Sequence, residues 1–222
     1  MNSTRTVKPA IPANVDTLLL DLDGTLLDLA FDNHFWMEIV PATYGRKHGL
    51  STQQALDTIR PLMASVEHTL PWYCLDHWAR TLDLDLSTLK MEHAGRIGWL
   101  PGARDFLLRQ RAYGRRLVLA TNSHPETLRI KDAQTGVTGL LDAAYSSHRF
   151  GAPKEDPRFW AAFRQEVNFD PARTAFVDDS IIVLRAARAA GIAHLIAVSH
   201  PDRSQPPRVH SEFPTVTAVA EL

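Results

Sequence analysis

Five short apolar runs separated by helical patterns restrict this chain to few folds. They lie at 15–22 (VDTLLLDL), at 117–120 within RLVLATN, more weakly at 142–146, at 174–177 within TAFVDD, and at 194–198. Each is long enough for a buried strand and too short for a helix. Between the later runs the helix signals are explicit. Pro101 stands near the start of one helix and Gly114 closes it, and a second runs from Pro125 to a stop at Gly136. Asp156-Pro157 reads as an N-cap followed by proline at the first helical position, opening a helix to Val167. Ser180 caps a fourth helix, which Gly191 ends. Strand and helix in alternation make a parallel sheet covered on both faces.

Residues 29–99 break the rhythm. They carry helical patterns at 32–48, 52–68, 71–82 and 88–96 and no strand-like run. The expected architecture is α/β: a Rossmann-like parallel-sheet core from 1–28 and 100–222, with 29–99 as an inserted all-helical cap. Residues 1–13 read as a flexible lead, and the tail after His200 offers no readable signal. Ligands of such sheets bind beyond the carboxyl ends of the strands, so a cap emerging from the loop after the first strand can cover the site.

Composition narrows the class. The 222 residues carry 24 basic and 25 acidic side chains, a net charge of −1, which excludes a strongly basic nucleic-acid binder. The apolar stretch 181–198 is broken by Arg185 and Arg188, so no membrane span is expected, and 1–12 lacks the apolar core of a secretory signal. A single cysteine, Cys74, permits no internal disulfide and no multi-cysteine metal site, and the ten histidines show no metal-ligand spacing. A cytoplasmic protein with a small-molecule partner is expected; the oligomeric state is not legible.

The chemistry lies at the strand ends. Asp21-Leu22-Asp23-Gly24-Thr25 follows the first run, and alternation along a strand sends Asp21 and Asp23 to one side. Two carboxylates there repel by about 1–4 kcal/mol at ~4 Å unless a cation compensates. The second run ends in Thr121-Asn122, a hydroxyl and main-chain N–H groups suited to phosphate oxygens. Lys154, one of only five lysines in an arginine-rich chain, precedes a helix. The fourth run ends in Asp178-Asp179, a pair suited to a metal ion. Taken singly, each of these has an ordinary reading as a cap or a solvated end; their order along one parallel sheet does not.

That order, DxDGT, then TN, then K, then DD, resembles the four motifs of the haloacid dehalogenase superfamily. The blocks DGTLLDLAFDNHFW (23–36), TLPWYCLDHW (69–78), ATNSHP (120–125), FGAPKEDPRFW (150–160) and FVDDS (176–180) further resemble the bacterial GMP/IMP 5′-nucleotidases within it, over residues 15–200. The resemblance implies a Mg²⁺-dependent phosphatase acting through an aspartyl-phosphate. Asp21 would be the nucleophile. Asp23 would protonate the leaving oxygen and then activate water. Lys154 would neutralise charge, and Thr121 with the Asn122 amide would hold the phosphoryl group. Asp21, the Asp23 carbonyl and Asp178 would bind Mg²⁺, with Asp179 supporting the metal shell. Glu155, where many members have proline, departs from the wider pattern and is expected to matter little to the lysine's charge. Asp23 argues against dehalogenase and phosphonatase chemistry, in which no leaving oxygen needs a proton.

Three alternatives stay open at this stage: a phosphatase for sugar phosphates or other small monoesters, a sugar-phosphate mutase, and a phospho-acceptor signalling module without turnover. Among the cap aromatics, Trp36 and Trp72 are the candidates for stacking on a purine, although most cap aromatics are expected to build the cap's own core.

Overall fold

The computed structural model describes residues 10–209 and 212–222. Most of the expected lead therefore lies outside the described residues. Its last part is held in place: Ile11 packs against the core, and the Pro12 carbonyl accepts from Val15 N–H at 3.1 Å.

Six parallel strands form one sheet: β1 (Thr17–Leu20), β2 (Arg116–Thr121), β3 (Ala143–Ser146), β4 (Thr174–Asp178), β5 (His194–Val198) and β6 (Thr215–Val216), in the order β3-β2-β1-β4-β5-β6. Five of them fall on the apolar runs. The sixth lies in the tail whose sequence gave no signal, because two residues are too few for a period to register.

The insertion between β1 and β2 is helical: α1 (Ala30–His34), α2 (Val40–His48), α3 (Thr52–Ser65), α4 (Leu70–Tyr73), α5 (Leu75–Leu82) and α6 (Leu86–Glu92). The remaining helices are α7 (Ala103–Ala112), α8 (Pro125–Thr135), α9 (Pro157–Val167) and α10 (Ile181–Ala189). Among the described residues no helix is long and apolar enough to cross a membrane.

Period-two alternation builds the core on both sheet faces. Leu18, Leu20, Leu117, Leu119 and Val177 point to Ala103, Phe106 and Leu107 of α7 and Ile130 of α8. Leu19, Val118, Ala120 and Phe176 point the other way, to Phe159, Trp160 and Phe163 of α9 and Leu184 of α10. The insertion closes a third cluster around Phe35, Ile59, Met63, Leu75 and Trp78.

Several expected helices are modified, and the pattern 88–96 is α6 followed by a 3₁₀ turn, Ala94–Arg96. The pattern 32–48 starts at Ala30 and contains a π-helical turn, Phe35–Ile39, before α2. Pro41 lacks an N–H and its ring crowds the carbonyl four residues back, so a widened turn there relieves an otherwise continuous helix. The pattern 71–82 is two helices, because Cys74 adopts an extended backbone (φ −86°, ψ 108°) and its sulfur caps α5 by accepting from His77 N–H.

Trp78 anchors that break. It is fully buried and its indole Nε1 donates to the Trp72 carbonyl at 2.9 Å. Trp78→Ala is expected to cost about 3–5 kcal/mol, read as a lowered denaturation midpoint; a loss below ~1 kcal/mol would mean that the insertion repacks freely.

Candidate active site

Strand order reverses between β1 and β4, which opens a crevice at their carboxyl ends. The register sets Leu20 beside Val177, so the next residues, Asp21 and Asp178, stand side by side. Asp21 N–H donates to the Val177 carbonyl at 3.0 Å, which extends the ladder and fixes its backbone.

Lys154 lies between them, its Nζ 2.5 Å from Asp21 Oδ1 and 2.7 Å from Asp178 Oδ2. All three are buried. The lysine is itself held: its N–H donates to Asn122 Oδ1 at 2.9 Å and its carbonyl accepts from Trp160 Nε1 at 2.7 Å. The Asn122 side chain is thus engaged in positioning Lys154, with its Nδ2 on Glu155 Oε2 at 2.9 Å. Glu155 also accepts from the Tyr73 hydroxyl of the insertion. Glu155, read from the sequence only for its effect on the lysine's charge, thus joins motif and insertion. Thr121 is buried at the end of β2, and its Oγ1 accepts from Ser123 N–H at 3.0 Å.

Carboxylate oxygens of Asp21, Asp178 and Asp179 lie within 4.8 Å of one another. Burial raises all three pKa values. Asp21 is pushed up to about 7, with Lys154 pulling down and Asp178 and Asp23 pushing up. Asp178 rises to about 6 against the pull of Lys154, and Asp179 to about 7 through burial and the Asp21 charge. Burial opposes the Lys154 charge, but Asp178 and Asp21 outweigh it and hold the ammonium above its ordinary pKa. The Lys154 ammonium and the Arg208 guanidinium beside Asp179 together carry less charge than the three carboxylates. A set of hard oxygen donors with unbalanced negative charge fits a divalent cation. The Asp23 carboxylate is not among these donors; only its main-chain carbonyl was expected to serve a metal.

Asp23 is anchored elsewhere. Its Oδ1 accepts from Lys131 Nζ at 2.5 Å and its Oδ2 from Ser123 Oγ at 2.6 Å. Lys131 also reaches Asp32 Oδ2 at 2.6 Å, and Asp32 Oδ1 accepts from Lys90 Nζ at 2.9 Å. Both lysines are 1% exposed, and Lys90 lies over the Phe35 ring at 4.4 Å. Burial alone would raise the Asp32 pKa, but the two ammonium charges reverse this and hold it at about 2. Sequence reasoning missed this alternating row of acids and lysines. Its only trace was two further lysines in a chain that favours arginine.

The tail supplies the last parts. Arg208 Nη1 donates to Asp179 Oδ2 at 2.8 Å, and Asp202 accepts from Asn33 of α1 at 2.6 Å. Gly24 turns beneath them with φ 84°, and a Cβ there would stand 2.7 Å from Pro201 Cβ and 2.9 Å from Asp179 Cγ. Both conformation and space thus demand glycine after the acid pair.

A cavity of about 590 Å³ lies between the strand ends and the insertion. Asp21, Asp23, Thr121, Asn122, Lys154 and Asp178 line its floor, with Asp179 and Arg208 also at the wall. Trp36, Met37, Met63, Trp72 and Tyr73 form the opposite wall. Every residue expected at the site therefore faces one cavity, of a size usual for small-molecule sites. Trp36 sits in the π-helical turn and packs edge-on against Phe35 and Trp78, which braces its ring.

The chain matches the haloacid dehalogenase-like hydrolase family model over residues 15–191 and belongs to that family of enzymes. Among curated relatives, a GMP/IMP nucleotidase of Escherichia coli (strain K12), YrfG, is 41% identical over 209 residues, covering 94% of each chain. The Shigella flexneri protein of the same name matches equally. Among solved structures, a haloacid dehalogenase phosphatase from Thermococcus onnurineus superposes with a TM-score of 0.77 at 18% identity, covering 93% of this chain and 95% of that one. CbbY from Rhodobacter sphaeroides, in complex with phosphate, superposes at 0.63 and 18% identity, covering 93% and 96%. At such identities these two share the fold.

Proposed function

We propose that the protein is a Mg²⁺-dependent phosphoric monoester hydrolase, a cytoplasmic 5′-nucleotidase for GMP and IMP. The observation that carries this reading is the 41% identity, over 94% of both chains, to a GMP/IMP nucleotidase. The site supports it. Asp21 attacks phosphorus and forms an aspartyl-phosphate, and Lys154 offsets the repulsion between its carboxylate and the phosphate. Thr121 and the Asn122 amide hold the transferring group. Asp23 gives a proton to the departing ribose oxygen and takes one from the attacking water, with Lys131 and Ser123 fixing its orientation. Asp21, the Asp23 carbonyl and Asp178 would hold Mg²⁺, with Asp179 as support; the ion supplies positive charge against the phosphate. Residues 29–99 act as the cap, and Trp36 and Trp72 flank the nucleoside. The hydrolase family leaves the signalling-module alternative without support.

Phosphate release from a panel of nucleoside monophosphates and sugar phosphates, with and without Mg²⁺, tests the reading. GMP and IMP are expected to lead, and chelator to remove activity. A preference for sugar phosphates over every nucleotide would overturn the substrate assignment. Within the same panel, Trp36→Ala or Trp72→Ala should lower kcat/KM for GMP about tenfold or more while an aryl phosphate changes little. Equal losses on both would show that the ring only folds the cap.

The raised carboxyl pKa values carry a pH signature. Native Asp21, Asp178 and Asp179 bind protons more tightly than the unfolded chain does. Their contribution to metal-free stability is therefore greatest below about pH 4 and falls as pH rises through about 6–7. Mg²⁺ should raise Tm more at about pH 8 than at about pH 5, as scanning calorimetry would show. Equal shifts at both would contradict a metal bound by these groups.

A further inference from the structure

The fold gathers a second donor cluster, unlike the first, on the seam between insertion and sheet. Cys74 at the joint of α4 and α5, His124 at the start of α8, and His148 after β3 bring a sulfur and two ring nitrogens within 4.8 Å of one another. They are distant in sequence, which is why spacing did not disclose them. Asp76 borders the group, its Oδ2 3.6 Å from His124 Nε2.

Hydrogen bonds fix how His148 presents itself. Ser146 Oγ lies 2.6 Å from the Ser123 carbonyl, which consumes its only proton. His148 Nδ1, 3.3 Å from that same Oγ, must therefore be the donor. The neutral ring then carries a bare lone pair on Nε2. That atom is buried and has no hydrogen-bond partner among the described residues. An imidazole oriented through one nitrogen by a hydroxyl, with the other nitrogen bare, is the arrangement of a metal-ligating histidine. Burial also lowers the pKa of both rings, that of His148 to about 4, so neither need shed a proton charge to become a ligand.

We propose that Cys74, His124 and His148 form a site for one borderline divalent transition ion of the zinc type, which clasps the helical insertion to the sheet. One thiolate and two imidazoles suit such an ion and not Mg²⁺, which takes oxygen donors. In a tetrahedral site with bonds of ~2.0–2.3 Å, ligand atoms lie about 3.3–3.6 Å apart. The present group would close by at most about 1.5 Å. Binding sends the thiol proton to solvent. If His124 ligates through Nε2, its ring proton moves to Nδ1, giving up the long 3.3 Å bond from Glu126 N–H. Asp76, or water, completes the shell.

Co²⁺ is the probe, added to protein saturated with Mg²⁺ so that the carboxylate cluster is occupied. This readout does not depend on the proposed nucleotidase activity. One equivalent should produce a thiolate-to-cobalt charge-transfer band in the near ultraviolet, which Zn²⁺ then abolishes. Cys74→Ser should lose the band while keeping an oxygen to cap α5. His148→Gln should weaken Co²⁺ binding about tenfold or more. No band in the wild type would overturn the site. So would unchanged affinity in both His148→Gln and His124→Gln, because the cysteine would then bind alone. Thermal unfolding of each metal-free variant, close to wild type, separates lost binding from lost fold. Zn²⁺ at one equivalent should also slow turnover of the wild type and not of Cys74→Ser. Equal slowing of both would assign the effect to the Asp21 cluster and overturn the clasp.

Discussion

Asp21→Asn is expected to reduce phosphate release by about four orders of magnitude or more and to leave no phosphoryl-enzyme after an acid quench. The amide keeps the shape of the carboxylate but not its nucleophilic charge. Stability should move the other way. Asp21 shares Lys154 with Asp178 and lies against Asp179, and these buried charges repel. Removing one leaves a better-balanced pair, so metal-free Asp21→Asn should melt no lower than the wild type at about pH 8. Loss of turnover with unchanged or raised Tm separates a chemical role from a structural one. Turnover within tenfold of the wild type would remove Asp21 from the mechanism.

The second large effect falls on a residue that sequence reasoning passed over. Lys131→Met should destabilise the fold by about 3–5 kcal/mol, because it takes away the only cation paired with Asp23 among the described residues and leaves Asp32 with Lys90 alone, while both carboxylates stay half-buried and close together. Equilibrium denaturation measures it. In the residual folded enzyme, turnover of GMP should fall more than that of an aryl phosphate if Asp23 acts as the proposed general acid, since a poor leaving group needs the proton most. A loss under ~1 kcal/mol with parallel kinetics would show that Ser123 alone suffices to hold Asp23.

What the sequence disclosed follows from how far each signal reaches. β1, β2, β4 and β5 are buried runs whose apolar character is local, and the acids and threonine at the ends of β1, β2 and β4, with the lysine ahead of α9, sit in fixed order along the chain. Caps such as Asp156 and Ser180 act within three residues, so they too were legible. The Asp23–Lys131–Asp32–Lys90 row was not, because its partners are separated by 58 to 108 positions. Arg208 lay hidden in a polar, proline-bearing stretch with no period, although it completes the surroundings of Asp179. Glu155 was read for its effect on the neighbouring lysine's charge, whereas its bonds run to Asn122 and Tyr73. The break at Cys74 escaped detection because apolar spacing continues across it.

The central place of β1 has a cost during synthesis. Its partners are β2 and β4, and Thr17 pairs with Arg116 and Thr174, respectively 99 and 157 positions later. At about 5–20 residues per second, β1 waits on the order of 8–30 s before both neighbours exist. Until β2 emerges the apolar segment that leads to Asp21 has both edges open, and until β4 emerges it has one, the form of backbone most prone to pairing with another chain. The helices that follow it are the first elements able to fold nearby. The nascent chain thus depends on those helices, or on a chaperone, to shield the segment on which its chemistry later rests.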